Sequence, residues 1–175
     1  MLLIYNAILT ICRKLCYGSR YNVHVIQRIS PNANVKLFKH GALTIGRNCE
    51  LSAGCDIQVH GNGTLHIGAG TYMNRYCIVS AHSNVTIGSG CMFGPGVCVF
   101  DNNHRFSATD GVSSDLSSAP ITIGNNCWIA SNAIILKGAN VGDNCVIGAG
   151  CIVSGKIPDK SIVRLKQEQT VEAIR

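Results

Sequence analysis

Ile123, Ile129, Ile135, Val141, Ile147 and Val153 stand six residues apart, and four of the six are followed by Gly or Ala. A period of six suits neither the 3.6 of a helix nor a simple alternation, and fixed self-similarity of this kind marks a solenoid. The earlier chain keeps the same count, with apolar trios at Val23, Ile29 and Val35, at Ile45, Leu51 and Ile57, at Ile67, Met73 and Val79, and at Ile87, Phe93 and Val99. Each trio reads as three sides of one triangular turn. Between trios the step widens to ten, ten, eight and then twenty-four residues, which predicts short corner insertions and one long excursion after Val99. That excursion breaks the repeat, so it is where chemistry is to be sought. Six turns stacked about 4.8 Å apart predict a prism roughly 29 Å tall.

The chain has 175 residues, 46% of them hydrophobic and 14% charged, which is enough to bury one continuous core. Ten cysteines would ordinarily suggest disulfides or a metal site. Seven of them, Cys49, Cys55, Cys77, Cys91, Cys127, Cys145 and Cys151, fall four residues after a repeat-marking residue, where other turns hold Ala33, Thr71, Val97, Ala133 and Ala139. The slot therefore selects a small side chain, and a free Cys behaves as a small buried hydrophobe. No C-x-x-C pair is present, which argues against zinc, and so many free thiols suit a reducing cytosol.

Residues 1–17, MLLIYNAILTICRKLCY, read as a short helix within an N-terminal segment 1–20, with the coil over 21–163, its loop over 100–120, and a basic tail or helix over 164–175. Twelve residues before the first charge are too few to span a bilayer, and the order of charge and apolar run is not that of a secretory signal. Residues 1–49 hold seven Lys or Arg and no Asp or Glu. Two readings stand: the helix caps the open edge of the first turn, or it rests on an anionic membrane surface. The net charge of +6 lacks the aromatic interleaving of a nucleic-acid surface, so no nucleic-acid partner is expected.

The unit [LIV]-G-x-x-[small]-x, with copies at Ile45-Gly46, Ile67-Gly68, Ile87-Gly88, Ile123-Gly124, Val141-Gly142 and Ile147-Gly148, resembles the hexapeptide-repeat acyltransferases. The resemblance covers about residues 23–163 and implies an all-β fold, a left-handed parallel β-helix. The stretches Phe93-Gly-Pro-Gly-Val-Cys-Val-Phe-Asp-Asn-Asn-His104 and Pro120-Ile-Thr-Ile-Gly-Asn-Asn-Cys-Trp-Ile-Ala-Ser131 are similar to the maltose and galactoside O-acetyltransferase branch and its exopolysaccharide-modifying relatives. Matched residue by residue, this implies His104 as general base, Ser131 as main-chain donor to the oxyanion, and Trp128 beside the thioester. It also implies acetyl-CoA as acyl donor without a metal, and a homotrimer whose sites lie between two prisms.

Asn74 aligns with an Asn that holds the acceptor sugar in that branch. Ala81 and His82 replace its acidic neighbour, so the acceptor is expected to differ from a galactoside or maltose, with His82 as a candidate contact. Asp101 is expected either to orient the His104 imidazole or to sit in solvent. For CoA the candidates are Trp128, Ala130, Ser131 and Ala149, joined by Lys156, Arg164 and Lys166 from the basic C-terminal end. The tail departs from the Gly-x-Pro-Ala-like closing turn of the family, so a solvated basic helix is an equal reading there. The implied reaction is direct transfer: the imidazole takes the proton of a sugar hydroxyl as it attacks the thioester. This leads to an acetyl-CoA-dependent O-acetyltransferase of surface polysaccharide or glycolipid assembly, expected in the cytoplasm, free or at the inner membrane face.

Rival readings are weaker. Zinc hydration on the same coil needs two histidines five apart, and those at 24, 40, 60, 66, 82 and 104 include no such pair, although His60 and His82 occupy equivalent corner slots and are placed to stack. The serine O-acetyltransferases carry a large helical domain that has no counterpart in this chain. N-acetylation of an amino sugar and a non-catalytic binding coil stay open.

Overall fold

The computed structural model describes residues 2–166. The chain winds into a parallel β-helix whose three sheets have seven, seven and six strands. The first sheet begins with Tyr21–Val23 and Ala42–Ile45 and ends with Lys156–Ile157. The second runs from Arg28–Ile29 to Ile162–Val163, and the third from Asn34–Leu37 to Ile152–Val153. That makes six full coils and a seventh with two sides, one partial coil more than the period predicts. Register is kept from coil to coil, as in Ile45↔Ile67, Ile67↔Ile87 and Ile87↔Ile123. This stack of parallel sheets agrees with the left-handed β-helix that the family resemblance implies.

Every repeat-marking residue from Val23 to Val153 is buried in one continuous core. Each such Ile, Leu or Val is worth roughly 1.5–3 kcal/mol of burial, so the six-residue count is a count of core contacts. The Gly that follows serves stacking. A Cβ on Gly68 would lie 2.5 Å from the Ser89 N of the next coil, and one on Gly88 2.7 Å from the Asn125 N. Corner residues, not these glycines, take up the left-handed conformation, among them Asn126, Asn132 and Asn144 with φ of 54–57°.

The seven slot cysteines are buried and free, as the spacing predicts. Their thiols also have work that the spacing does not reveal. At the corner between the first and second sheets, the Cys49, Cys91 and Cys127 thiols each donate to the carbonyl of Gly68, Gly124 and Gly142 on the next coil, all at 3.1 Å. Thr71 does the same through its hydroxyl to the Gly88 carbonyl at 2.9 Å, and Gln27 through its amide to that of Gly46 at 2.6 Å. The slot needs a small donor as well as a small volume.

Helix α1 (Leu2–Tyr17) leads through a 3₁₀ turn (Gly18–Arg20) into the first coil and packs on its first two strands. Tyr17 stacks on Tyr21 with ring centroids 6.0 Å apart. Among the described residues, no helix is long and apolar enough to cross a membrane. A C-terminal helix, one of the two readings for the tail, falls beyond residue 166 and outside the described residues; residues 164–166 themselves are not helical.

Burial raises the Cys49 and Cys98 thiols above the ordinary range, while Cys12 and Cys16 are exposed on α1. The native protein is therefore expected to release two fast equivalents with a thiol reagent, from Cys12 and Cys16, and the remainder only on unfolding. A Cys12→Ser/Cys16→Ser variant should lose the whole fast phase.

Candidate active site

The candidates gather at two different corners of the prism. At the corner between the second and third sheets, successive coils place Asn74, Gly94, Ala130, Gly148 and Arg164 in one column, following the register Met73↔Phe93, Phe93↔Ile129 and Ile129↔Ile147 and Ile147↔Val163. Pro95, Ser131, Ala149 and Leu165 form the adjacent column. At about 4.8 Å per coil, Asn74 lies some 10 Å to one side of Ala130 and Arg164 some 10 Å to the other.

Among the described residues the Ser131 N–H is one of several corner N–H groups left open, with those of Arg47, Ala53, Ala69 and Ala149. At the corner between the first and second sheets, three of the corresponding N–H groups are capped by a side chain from the coil above. Ser89 N–H donates to Asn125 Oδ1 at 2.9 Å, Asn125 N–H to Asp143 Oδ1 at 2.6 Å, and Asp143 N–H to Asp159 Oδ1 at 2.9 Å. The residue in the capping position above Ser131 is Ala149, which has no acceptor. Ala130 N–H is bonded to the Ile147 carbonyl and Asn132 N–H to that of Pro95, but the Ser131 N–H takes no acceptor among the described residues. Such an N–H on a rigid corner is a donor held ready for an incoming anion. Gly94 keeps it accessible, since a Cβ there would lie 2.6 Å from the Ser131 N.

His104 lies at the other corner, where the third sheet passes to the first. The expected loop is a hairpin of Asn102–Ser107 and Gly111–Ser118, antiparallel, with Asn102↔Ser118 and His104↔Leu116. Its register shifts between His104 and Phe106. There the Ser113 carbonyl comes within 3.0 Å of His104 Nδ1. A carbonyl only accepts, so Nδ1 holds the proton and Nε2 is left with its lone pair. His104 is exposed, and its Nε2 has no partner among the described residues.

Asp101 takes neither of its two expected places. It is fully buried, and its carboxylate accepts from the His82 N–H at 2.8 and 3.0 Å and the Ser83 N–H at 2.7 Å. Its charge is spent on the turn beneath the hairpin, and the Ser113 carbonyl orients the imidazole instead. Sequence reasoning missed Ser113 because a main-chain acceptor nine residues away across an irregular hairpin has no signature in residue type. His82 stands at this same corner, away from Asn74. Its ring stacks on His60 with centroids 4.3 Å apart, and His60 stacks on Phe38 at 4.5 Å, so the expected stacking is present.

Trp128 is about half exposed, in line on the outer face of the second sheet with Met92 and Val146. Ala130 is buried, while Arg164 and Lys166 are exposed just past the last strand. Lys156 pairs with Asn140 in the first sheet, on a different face from Ser131. Asn74 Oδ1 accepts from the Arg75 N–H at 2.8 Å, which fixes its amide at the corner. Among the described residues no group of three or more His, Cys, Asp or Glu could hold a metal ion. Within one prism the side from Pro95 to Asp101 separates the Ser131 and His104 corners by on the order of 20 Å.

Residues 120–155 match the family model described as bacterial transferase hexapeptide (six repeats), and the resemblance to the hexapeptide-repeat acyltransferases is borne out. The chain is similar to the galactoside O-acetyltransferase of Escherichia coli K12, at 42% identity over 72 residues, 41% of this chain and 36% of that one. It is also similar to the putative lipopolysaccharide biosynthesis O-acetyl transferase WbbJ of the same organism, at 30% identity over 86 residues and 44% of each chain. Each match thus spans less than half the length of these curated relatives. Among solved structures, the polySia-specific acetyltransferase NeuO superposes with a TM-score of 0.62 at 25% identity, over 81% of this chain and 67% of that one.

Burial, and then the neighbouring His82, lower the His60 pKa below the ordinary histidine value. The unfolded chain therefore binds this proton first as pH falls, and stability present above about pH 6.5 is lost below it. A His60→Phe variant keeps the stack without the titration. Its unfolding midpoint in urea is expected to fall less between pH 7 and roughly pH 5.5 than that of the native chain.

Proposed function

We propose that this chain is an acetyl-CoA-dependent acetyltransferase acting on a sugar hydroxyl, with each active site shared between two copies. The observation that carries the reading is that the Ser131 N–H, one of several left open, stands at a corner where Trp128 and Arg164 also emerge. His104 Nε2 takes the proton of the acceptor hydroxyl. The oxygen attacks the thioester carbonyl, the oxyanion rests on the Ser131 N–H, and the CoA thiolate leaves with the proton returned by the imidazolium. One such base contributes about a hundredfold to ten-thousandfold, and one such donor roughly 3 kcal/mol. No covalent acyl-enzyme is needed, because base and oxyanion donor suffice for direct transfer.

The shared site follows from distance. Base and oxyanion donor stand on opposite edges of one face, too far apart to serve one thioester, so a neighbouring copy has to supply the second corner. Surface chemistry supports the same arrangement. The first sheet turns Thr44, His66, Thr86 and Thr122 outward, whereas the second turns out Tyr72, Met92, Trp128 and Ile162 and the third Ile78, Ile134 and Ile152. The second and third faces carry Arg28, Glu50, Asn34 and Asp56 in the first coils and are apolar toward the C-terminal ones, and a prism of such faces suits a closed cyclic trimer. Asn74 and the exposed hairpin residues Phe106 and Val112 then border the acceptor. The likeness to enzymes named for galactosides, lipopolysaccharide and polySia supports a glycan acceptor, in surface polysaccharide or glycolipid assembly on the cytoplasmic side where acetyl-CoA is supplied.

Thiol release from acetyl-CoA with a panel of free, nucleotide-linked and lipid-linked sugars tests this. His104→Ala is expected to cut acceptor-dependent release by at least about a hundredfold. Ala149→Asp, which caps the Ser131 N–H as Asp143 caps that of Asn125, is expected to cut it by about a hundredfold to a thousandfold without lowering the melting temperature. Either variant turning over at the native rate would sink the assignment of its group.

A second expectation concerns sharing. If each site takes His104 from one copy and Ser131 from the next, unfolding and refolding the two inactive variants together in equal amounts restores about a quarter of native activity, because half the copies carry each intact corner. No recovery, with mixed oligomers verified by mass, means that both groups act within one copy.

A further inference from the structure

Helix α1 is turned the wrong way for a helix that only caps a core. Ile4, Ile8, Ile11 and Leu15 follow one another at i, i+4, i+7 and i+11, the spacing of a single stripe. They are 67%, 59%, 55% and 82% exposed, whereas the residues that α1 buries against the coil are Asn6 and Thr10. The apolar surface continues onto Leu2, Tyr5 and Pro31, which with Ile4 line an open groove of about 360 Å³, and onto exposed Val25 and Ile26 of the first coil.

Charge singles out the same end. Residues 1–49 carry seven Lys or Arg and no Asp or Glu, while the whole chain has a net charge of +6, so the other residues sum to −1. Of the seven, Arg28 is paired with Glu50 at 3.1 Å, Arg13 has a guanidinium nitrogen buried rather than facing solvent, and Lys14 is exposed on α1. An unpartnered apolar stripe flanked by uncompensated positive charge is complementary to one kind of surface: acyl chains beneath anionic head groups. A second copy of α1 is the other candidate occupant, since the stripe's spacing also suits helix pairing. It is disfavoured because α1 has basic residues and no acidic one, so pairing would bring like charges together with nothing to neutralise them.

We propose that α1 is a membrane-surface anchor that lies in the plane of an anionic lipid leaflet, with the Ile4–Ile8–Ile11–Leu15 stripe inserted about 5–10 Å and the basic first coil on the head groups. The inference goes beyond the catalytic reading and does not depend on it. It places the N-terminal end of the coil toward lipid and leaves the candidate active-site corners on the flanks of the prism.

Co-sedimentation of the full chain with vesicles of phosphatidylcholine alone, or with roughly one third phosphatidylglycerol, tests it at about 0.1 M salt. The native chain is expected to partition onto the anionic vesicles and much less onto the neutral ones, and to be partly released at about 0.5 M salt. An Ile4→Gln/Ile8→Gln/Ile11→Gln/Leu15→Gln variant is expected to lose at least about tenfold in partitioning with its melting temperature kept, because these side chains touch solvent and not the core. A polarity-sensitive dye on exposed Cys12 should shift to the blue when anionic vesicles are added. Absence of binding by the native chain, or equal binding by the Gln variant, overturns the proposal. So does a lipid-independent oligomer that the Gln variant dissolves, which would make the stripe a contact between copies.

Discussion

Parallel stacking at one coil spacing is the constraint on which everything else in this molecule depends. Once Ile45, Ile67, Ile87 and Ile123 are held in register, each corner residue lies against its equivalents above and below, with Gly at the closest approach. Sides of the coil satisfy their own main-chain groups through the sheets. Corners do so only in part, as where Gly70 N–H meets the Arg47 carbonyl, and the groups left over depend on whichever side chain the next coil presents. The carbonyls of Gly46, Gly68 and Gly88 are met by an amide, a thiol and a hydroxyl in turn, three donors for one geometric need. The same rule leaves several corner N–H groups unmet among the described residues, those of Arg47, Ala53, Ala69 and Ala149 as well as Ser131. Where Asn125, Asp143 and Asp159 each cap the N–H below, Ala149 leaves that of Ser131 open. A donor that stacking could have silenced with one carboxylate is instead kept free.

The fold was legible because burial has a period. Every residue marked by the count of six lies in the core, and the steps of ten, ten and eight become the corner that carries Phe38, His60 and His82. What a period cannot convey is direction at the corners. The Cys slot was readable as small but not as a donor, because an S–H bond to a carbonyl depends on where the next coil's backbone passes. Asp101 was misread for a related reason. Three residues from His104 in sequence, it belongs to the last corner of the coil and not to the hairpin, and its carboxylate turns inward to two N–H groups. His104 itself was found through its motif, whereas the group that sets its tautomer is a carbonyl and invisible to any reading of side chains.

Residue chemistry also distinguishes the three outer faces, which the core pattern treats alike. Outward positions of the first sheet are mostly Thr, Asn and His with Ala42 and Lys156, and those of the other two are largely aliphatic or aromatic toward the C-terminal coils. An isolated prism gains nothing from this asymmetry and risks aggregation by it. Packing prisms side by side covers two faces and leaves the third in water, and it brings the hairpin of one copy toward the Ser131 corner of another. The separation of the proposed base and oxyanion donor within one copy and the polarity of the faces are independent features of the sequence, yet the proposed assembly would resolve both.

Helix α1 extends that logic to the end of the coil. In the proposed ring the faces parallel to the prism axis would be covered by other copies, whereas the apolar stripe of α1 lies at the first coil, where a side-by-side ring leaves it uncovered. In a cyclic ring of parallel prisms all the helices stand at one end, and several weak contacts with one lipid surface multiply through effective concentration. A single amphipathic helix with few charges binds lipid only modestly, so the ring makes the anchor useful and the anchor gives the ring a direction. A sugar acceptor carried on lipid would then meet sites on the flanks of a prism already standing on its leaflet, and the donor, being soluble, would approach from the open side.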